Sequence, residues 1–283
     1  MANLIPPVIR DIAGLRLHVN AWHQAGLKVA VVPTMGALHE GHLALVRAGF
    51  ERASRVITTI FVNPKQFAAH EDLARYPRSE ASDLAKLASA GTSLVFAPDD
   101  KEIYPEGFAT AVHMAGPALM GLEDKYRPQF FDGVATIVAK LFVQSAADFA
   151  LFGEKDYQQL KVVTRMAKDL DLPLEVIGVA TSREADGLAM SSRNAYLSAA
   201  ERQQAVAIIR TLNNVAAQIR GGLDHTDAER VAVRALTAQD FKVDYIAVRN
   251  ADSLDKPSSA DEPLRLLAAA WLGKTRLIDN IAV

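Results

Sequence analysis

The chain contains no cysteine, which excludes a disulfide framework, thiolate nucleophiles and zinc sites of the Cys type. Neither charge is in excess: 31 Lys and Arg stand against 33 Asp and Glu, whereas a duplex-binding surface ordinarily carries a basic surplus. No run approaches the roughly 18 apolar residues that a membrane-spanning helix requires. The opening MANLIPPVIRDIAGL lacks the basic-then-apolar order of a secretory signal. Internal repeats and low-complexity tracts are also missing. What is present is 283 residues, 50% of them hydrophobic, enough for a full core and two domains. These totals predict a cytoplasmic globular enzyme that engages neither nucleic acid nor membrane.

Short apolar runs alternate with longer amphipathic stretches along the first two thirds. LKVAVVP (27–33), RVITTIFV (55–62), TSLVFAP (92–98), DFALFG (148–153) and LEVIGVA (174–180) read as strands. HLALVRAGFERAS, SEASDLAKLASA (79–90), GVATIVAKLFVQSA (133–146) and KDYQQLKVVTRMAKDL (155–170) read as helices. The alternation predicts an α/β fold, a parallel sheet with helices on both faces. After about residue 187 the pattern changes. Ser198 to Glu201 and Thr226 to Glu229 read as capping boxes opening two helices, with Gly221-Gly222 stopping the first. FKVDYIAV, LRLLAAAWL and TRLIDNIAV read as strands, the last two joined at Gly273-Lys274. A smaller C-terminal α+β domain is expected, with SREADGL (182–188) as the linker.

The stretch PTMGALHEGH (33–42) carries two histidines three apart. One histidine near a helix start is ordinarily a capping or packing residue. Two at this spacing lie side by side on a helix. A helix opening at about His39 puts both at its N-terminus, where free N–H groups and the dipole favour anions. Gly41 removes a side chain between them, so that a ligand can approach the backbone. A zinc-protease site of the HExxH type needs histidines four apart, and no third ligand stands at a recognisable distance. Imidazoles aimed at a phosphate chain fit better, because they can donate to oxygens that gain charge as a phosphoanhydride breaks.

Three more polar clusters stand where apolar runs end, and ligands of open α/β sheets bind outside the carboxyl ends of the strands. Asn63-Pro64-Lys65-Gln66 is explained as a turn except for Gln66, whose amide both donates and accepts as a hydroxy acid requires. Gly153-Glu154-Lys155-Asp156 is an ordinary acidic helix start. It is equally a place for Lys155 to meet phosphate and Asp156 a ribose hydroxyl, with Gln159 one turn on. Met190-Ser191-Ser192-Arg193 is a polar loop or a mobile phosphate clamp. Each alone is evenly balanced; four together favour function.

PTMGALHEGH, IFVNPKQF, FGEKDYQQL and MSSRN, in this order and spacing, resemble the pantothenate synthetase family over nearly the whole chain. The HxGH element alone is similar to a wider nucleotidyltransferase superfamily, in which MSSRN takes the place of a mobile lysine–serine loop. The resemblance implies a Rossmann-like nucleotide- and pantoate-binding domain over 1–186 and a lid domain over 187–283. It implies a homodimer and two chemical steps. Pantoate carboxylate attacks the α-phosphorus of ATP, giving pantoyl adenylate and pyrophosphate, and β-alanine then displaces AMP. Mg2+ would accompany ATP, held mainly by the phosphates, with no protein ligand assigned.

Carried over by position, the resemblance makes His39, His42, Lys155 and Arg193 the catalytic set, with His42 the proton donor. Met35, Gly36, Ala37, Leu38, His39, Glu40, Gly41 and His42 would line the ATP site, together with Gly153, Glu154, Lys155 and Asp156. Ser182 would meet adenine through its backbone, and Met190, Ser191, Ser192 and Arg193 would close on the phosphates. Gln66, Gln159 and Tyr76 would serve pantoate, with Gln66 also serving β-alanine. The chain departs from the family where Arg127-Pro128-Gln129-Phe130-Phe131 replaces the usual RPGHF, and where Val143, Ala147 and Asp148 stand for Asn and a Pro-Asp pair. Two rivals fit less well. A nucleotidyltransferase acting on a phosphorylated alcohol has little use for Gln66 and Gln159, and a regulatory nucleotide-binding module has none for two histidines beside a lysine and an arginine.

Overall fold

The 4 residues Val29–Val32 are all buried, which requires a strand covered on both faces. In the computed structural model, which describes residues 5–67, 73–259 and 261–283, this strand, β2, lies inside a six-stranded parallel sheet. The others are β1 (Val8–Ile9), β3 (Arg55–Thr59), β4 (Leu94–Phe96), β5 (Phe149–Gly153) and β6 (Glu175–Val179), in the order β1-β4-β3-β2-β5-β6. The chain steps one way from β2 through β3 to β4, and the other way from β5 to β6. The order therefore reverses between β2 and β5, and the crevice beyond their carboxyl ends is the favoured ligand position.

Alternation along β2 sends its side chains into two cores. Val29 and Val31 meet Leu15 and Val19 of α1 (Ile12–Gln24) and apolar residues of α6 (Phe130–Ser145) and α7 (Tyr157–Asp169). Ala30 and Val32 meet Leu43 and Val46 of α2 (Glu40–Phe50) and Leu87 of α3 (Glu80–Ala90). Two short helices, α4 (Asp100–Ile103) and α5 (Glu123–Tyr126), lie in the connection before α6.

A three-stranded antiparallel sheet follows, β7 (Lys242–Asn250), β8 (Leu264–Leu272) and β9 (Thr275–Ala282). With α9 (Ala207–Arg220) and α10 (His225–Thr237) it forms a separate core; α8 (Ala199–Gln204) precedes them. Ala247 and Leu267 of the same sheet pack on Leu122 and Tyr157 of the first unit. Beside them Arg276 donates to both carboxylate oxygens of Glu123 at 2.8 and 2.9 Å and to Asp244 at 2.7 Å. The Tyr245 hydroxyl completes the cluster with Glu123 at 2.9 Å.

The expected strands and helices are found, with three local differences. The helix after residue 223 is capped by Asp224, which accepts from Thr226 N and Asp227 N, so Thr226 to Glu229 is not a capping box. Glu229 instead accepts from Val248 N at 2.8 Å. The Ser198 box opens only the short α8, and a new helix starts at Ala207 before stopping at Gly221. The stretch 182–188, between β6 and α8, is held by its charges: Arg183 forms a two-bond ion pair with Asp279 at 2.7 and 3.0 Å, and Asp186 pairs with Arg202. β1 and α1 were not anticipated. β1 has 2 residues, too few for a periodic signal, and α1 buries only Leu15 and Val19 fully.

Candidate active site

A cavity of about 230 Å3 opens at the carboxyl ends of β2, β3, β5 and β6, and the start of α2 forms one wall. His39 is the N-cap, in extended backbone (φ −131°, ψ 175°), and His42 is the third helical residue. They cap the helix reciprocally. Gly41 N donates to His39 Nδ1 at 3.2 Å, and His39 N donates to His42 Nδ1 at 3.2 Å. A ring nitrogen that accepts in a neutral imidazole leaves the proton on the other nitrogen. Both rings are therefore Nε2–H tautomers, stacked at 4.1 Å with a 43° tilt. Burial is the largest cause that lowers His39 to about 4, with Lys155 and Lys86 adding and Asp156 opposing. Burial also leads for His42, lowered to about 3, followed by His39, Lys155 and Lys86. At neutral pH the pair is uncharged and offers two N–H donors. A Cβ on Gly41 would stand 2.9 Å from the His39 ring, so glycine here also lets that ring fold back over its own helix.

The wall at the end of β3 is built on Asn63, which is buried. Its Nδ2 donates to Gln66 Oε1 and to the Gly133 carbonyl, both at 3.1 Å, and its Oδ1 accepts from the Tyr104 hydroxyl at 2.7 Å. A Cβ on Gly133 would collide with the Lys65 carbonyl; glycine there lets α6 press against the turn and hold Gln66. Among the described residues the Gln66 amide nitrogen donates to Met35 Sδ, at 2.9 Å, a weak acceptor that leaves it donor capacity. Gln159, on the first turn of α7, also lines the cavity. The floor is apolar, from Val134, Ile137, Val138 and Leu141 of α6.

At the end of β5, Asn280 Nδ2 donates to the carbonyls of Glu154 and Lys155, both at 2.9 Å. The antiparallel sheet thus fixes the backbone from which Lys155 reaches the cavity, its Nζ 3.7 Å from Asp156. Beyond β6 the chain passes Ser182, whose carbonyl accepts from Met190 N at 3.0 Å. Ser191 then caps a 3-10 turn through Arg193 N at 3.2 Å. Ser192 crosses the crevice and donates to the Ala37 carbonyl at 3.0 Å. A second cavity of about 510 Å3 lies between the two units and shares Lys155, Asp156, Gln159 and Arg193 with the first.

The structure brings Met35, His39, Gly41, His42, Gln66, Tyr76, Gly153, Lys155, Asp156, Gln159, Ser182 and Met190 to Arg193 to one cavity. Five expected residues do not line it. Gly36, Ala37 and Leu38 form a backbone turn behind the histidines, with Leu38 2% exposed. Glu40 points outward to Arg47, and Glu154 pairs with Arg265 at 3.0 Å. Sequence reasoning missed Asp83, whose carboxylate grips that turn; the available signal was an acidic residue four positions before buried Leu87 on a helical stripe. It also missed Thr181, a wall residue whose buried hydroxyl has no hydrogen-bond partner among the described residues. The departures have physical consequences. Gln129 adopts φ 68°, a conformation that suits glycine. Phe130 lines both cavities with the Arg127 guanidinium 3.6 Å above its ring. Val143 is 56% exposed and Ala147 is buried, while Asp148 accepts from Lys28 and Val29 N. None of these three reaches the cavity.

Among the described residues, no group of three or more His, Cys, Asp or Glu could hold a metal ion, and no helix is long and apolar enough to cross a membrane. Residues 7–282 match the family model described as pantoate-beta-alanine ligase. The chain is 58% identical to a pantothenate synthetase of Caulobacter vibrioides, covering 98% of this chain and 99% of that one. A pantothenate synthetase of Rhodopseudomonas palustris is 55% identical, with 98% and 99% covered. Among solved structures, a pantothenate synthetase of Thermus thermophilus superposes with a TM-score of 0.89 at 44% identity, covering 97% of this chain and 98% of that one. A pantoate-beta-alanine ligase of Francisella tularensis, complexed with beta-gamma ATP and beta-alanine, gives 0.82 at 30% identity, with 98% and 97% covered.

Proposed function

The chain belongs to the pantoate–β-alanine ligase family, and from that premise we propose how its residues divide the work. The reaction is the ATP-dependent condensation of pantoate with β-alanine, giving pantothenate, AMP and pyrophosphate through a pantoyl adenylate. The observation that carries the assignment of roles is the pair of Nε2–H donors at His39 and His42, in one cavity with Gln66, Gln159, Lys155 and Arg193.

In the first step a pantoate carboxylate oxygen bonds to the α-phosphorus as the bond to the α,β-bridging oxygen breaks and pyrophosphate leaves. Charge grows on the departing oxygens, where His39 and His42 donate from Nε2 and Lys155 and Arg193 supply fixed positive charge. His42 acts as a hydrogen-bond donor. Its Nδ1 is occupied by the helix cap, so it cannot also accept a proton without opening the helix. Gln66 and Gln159 hold the carboxylate and hydroxyls of pantoate, Tyr76 closes the pocket beside them, and the apolar floor receives the hydrocarbon body. Positioning supplies much of the rate, because the reacting atoms are held at attack distance away from water. In the second step the amine of β-alanine attacks the acyl carbon and AMP leaves.

ATP lies along the start of α2, with its ribose at Gly153 to Asp156 and adenine against the Ser182 backbone, and the 190–193 loop closes on the phosphates. Mg2+ would accompany ATP and be held mainly by the phosphates, whose charge it would offset, with no protein ligand assigned. The division into a unit over 1–186 and a lid over 187–283 is supported by the separate core of the antiparallel sheet. The family resemblance supports a homodimer in the cytoplasm, which sedimentation equilibrium and cell fractionation check. Pyrophosphate release from Mg-ATP tests the roles directly. A burst that depends on pantoate and becomes steady turnover with β-alanine is expected. Release with a phosphate ester in place of pantoate would instead favour the nucleotidyltransferase reading.

A further inference from the structure

The turn before the histidine pair has an unfavourable backbone. Gly36 has φ 79° and Ala37 φ 51°, and the second is a left-handed conformation that a residue with a Cβ adopts only at a cost. The group that holds it is Asp83 on α3. This side chain is 1% exposed, although carboxylates are ordinarily kept in water. Its Oδ2 accepts from Ala37 N at 2.9 Å and its Oδ1 from Leu38 N at 2.8 Å. One turn further along the helix, Lys86 Nζ donates to the Leu38 carbonyl at 2.6 Å. A Cβ on Gly36 would lie 3.2 Å from Asp83 Oδ2 and 3.3 Å from Ile60, so the carboxylate seats closely against the turn.

The turn reaches both halves of the site. On its far side the chain enters His39 directly. Its Ala37 carbonyl, oriented by the left-handed backbone, receives the Ser192 hydroxyl at 3.0 Å. Asp83 itself lines neither cavity. A single hydroxyl or amide oxygen would satisfy one backbone N–H; a carboxylate takes two consecutive ones and so fixes the dihedrals between them. We propose that Asp83 is a positioning residue for the ligase reaction: its two-point grip on Ala37 and Leu38 sets the histidine pair and the docking point of the 190–193 loop in one geometry, with Lys86 as the second hold. The inference rests on the reading of His39, His42 and that loop as the phosphate-facing groups.

Asp83→Asn keeps the shape but leaves one acceptor for two N–H groups. Pantoate-dependent pyrophosphate release should fall about tenfold or more, the scale of a small misplacement of reacting groups. The KM for pantoate should stay within about twofold, because Gln66 and Gln159 are held by other elements. Trypsin cleavage after Arg193, measured without substrates, should quicken severalfold because Ser192 loses its docking point. Ser192→Ala should reproduce the faster cleavage, and the two accelerations should not multiply in the double variant, since each removes the same contact. A folded Asp83→Asn protein with turnover within about twofold of the parent and unchanged cleavage would overturn the proposal, as would accelerations that multiply in full. If Asp83→Asn fails to fold, Lys86→Met, at a half-buried position, enters the same cycle and is judged the same way. Cleavage is read without turnover, so it decides the positioning role even where a silent parent enzyme counts against the reading of the site.

Discussion

Two helix starts in this molecule use the same reciprocal cap with different residues. At α8, Ser198 Oγ accepts from Glu201 N at 3.3 Å and Glu201 Oε2 accepts from Ser198 N at 2.8 Å. At α2, His39 and His42 perform the same exchange through their Nδ1 atoms. The serine–glutamate cap commits its polar atoms to the helix end. The histidine cap commits one nitrogen of each ring and keeps the other, protonated, for the cavity. A five-membered ring with two nitrogens can accept at the helix end and present a donor on its far side at once, which an ionised carboxylate, an acceptor only, cannot.

Removing a histidine from α2 should do the most damage. His42→Ala should lower kcat by about 10²–10³, the scale of one lost transition-state donor, with ATP binding by calorimetry changed much less. His42→Asn separates the two duties of the ring. Its side-chain oxygen can still cap His39 N while Nε2–H is gone, so the helix should be retained and the rate loss should persist. Recovery of activity in the asparagine variant would mean that capping alone was the function.

The two caps should also part company with pH. His39 and His42 are lowered to about 4 and about 3 from an ordinary 6.5. Between those values the unfolded chain binds protons that the folded chain refuses, so stability from this source is complete above 6.5 and falls as pH drops toward 3 to 4. Glu201 is also lowered, first by its bond to the Ser198 backbone. Its contribution is present above 4.5 and lost only as pH falls through the lower folded value. Urea midpoints taken across this range should decline through the histidine window, and the decline should flatten in a His39→Asn, His42→Asn protein. NMR titration of the free protein should show both rings neutral down to about pH 5; an inflection near 6.5 for either would contradict the burial argument.

Smaller effects test the purely structural cap and the strained helix start. Ser198→Ala should cost about 1 kcal/mol, a fall of roughly 2–4 °C in Tm for a domain of ordinary size, with turnover unchanged. Gln129→Gly relieves a left-handed glutamine at the start of α6. It should change stability by less than about 1 kcal/mol in the favourable direction, because the glycine gains in the folded state part of what it loses in the flexible unfolded chain. Differential scanning calorimetry reads both.

Most of the fold was legible because its signals are local. β2 and β5 are apolar runs and β3 a β-branched one between helical stretches, and the β8–β9 hairpin declares itself at Gly273-Lys274. The Thr226 box failed because Asp224, two residues earlier, is as good a cap and starts the helix at His225, so that Thr226 is already inside it. That the charges of stretch 182–188 find partners at Arg202 and Asp279 was not legible, because those partners lie elsewhere in the chain. Glu40 and Glu154, inside matching motifs, turn away from the cavity to cations the motifs do not include.

The parallel sheet, the polar clusters at strand ends and the histidine pair at a helix start were all written in the order of residues, since periodicity, caps and spacing act over a few positions. The protonation state of that pair and the geometry behind it were not. Both histidines are lowered first by burial, and Lys155 reaches them from the end of another strand. Asp83 meets Ala37 from 46 positions along the chain. Such contacts exist only because the sheet sets distant helices side by side, and no local pattern encodes which side chains then face one another.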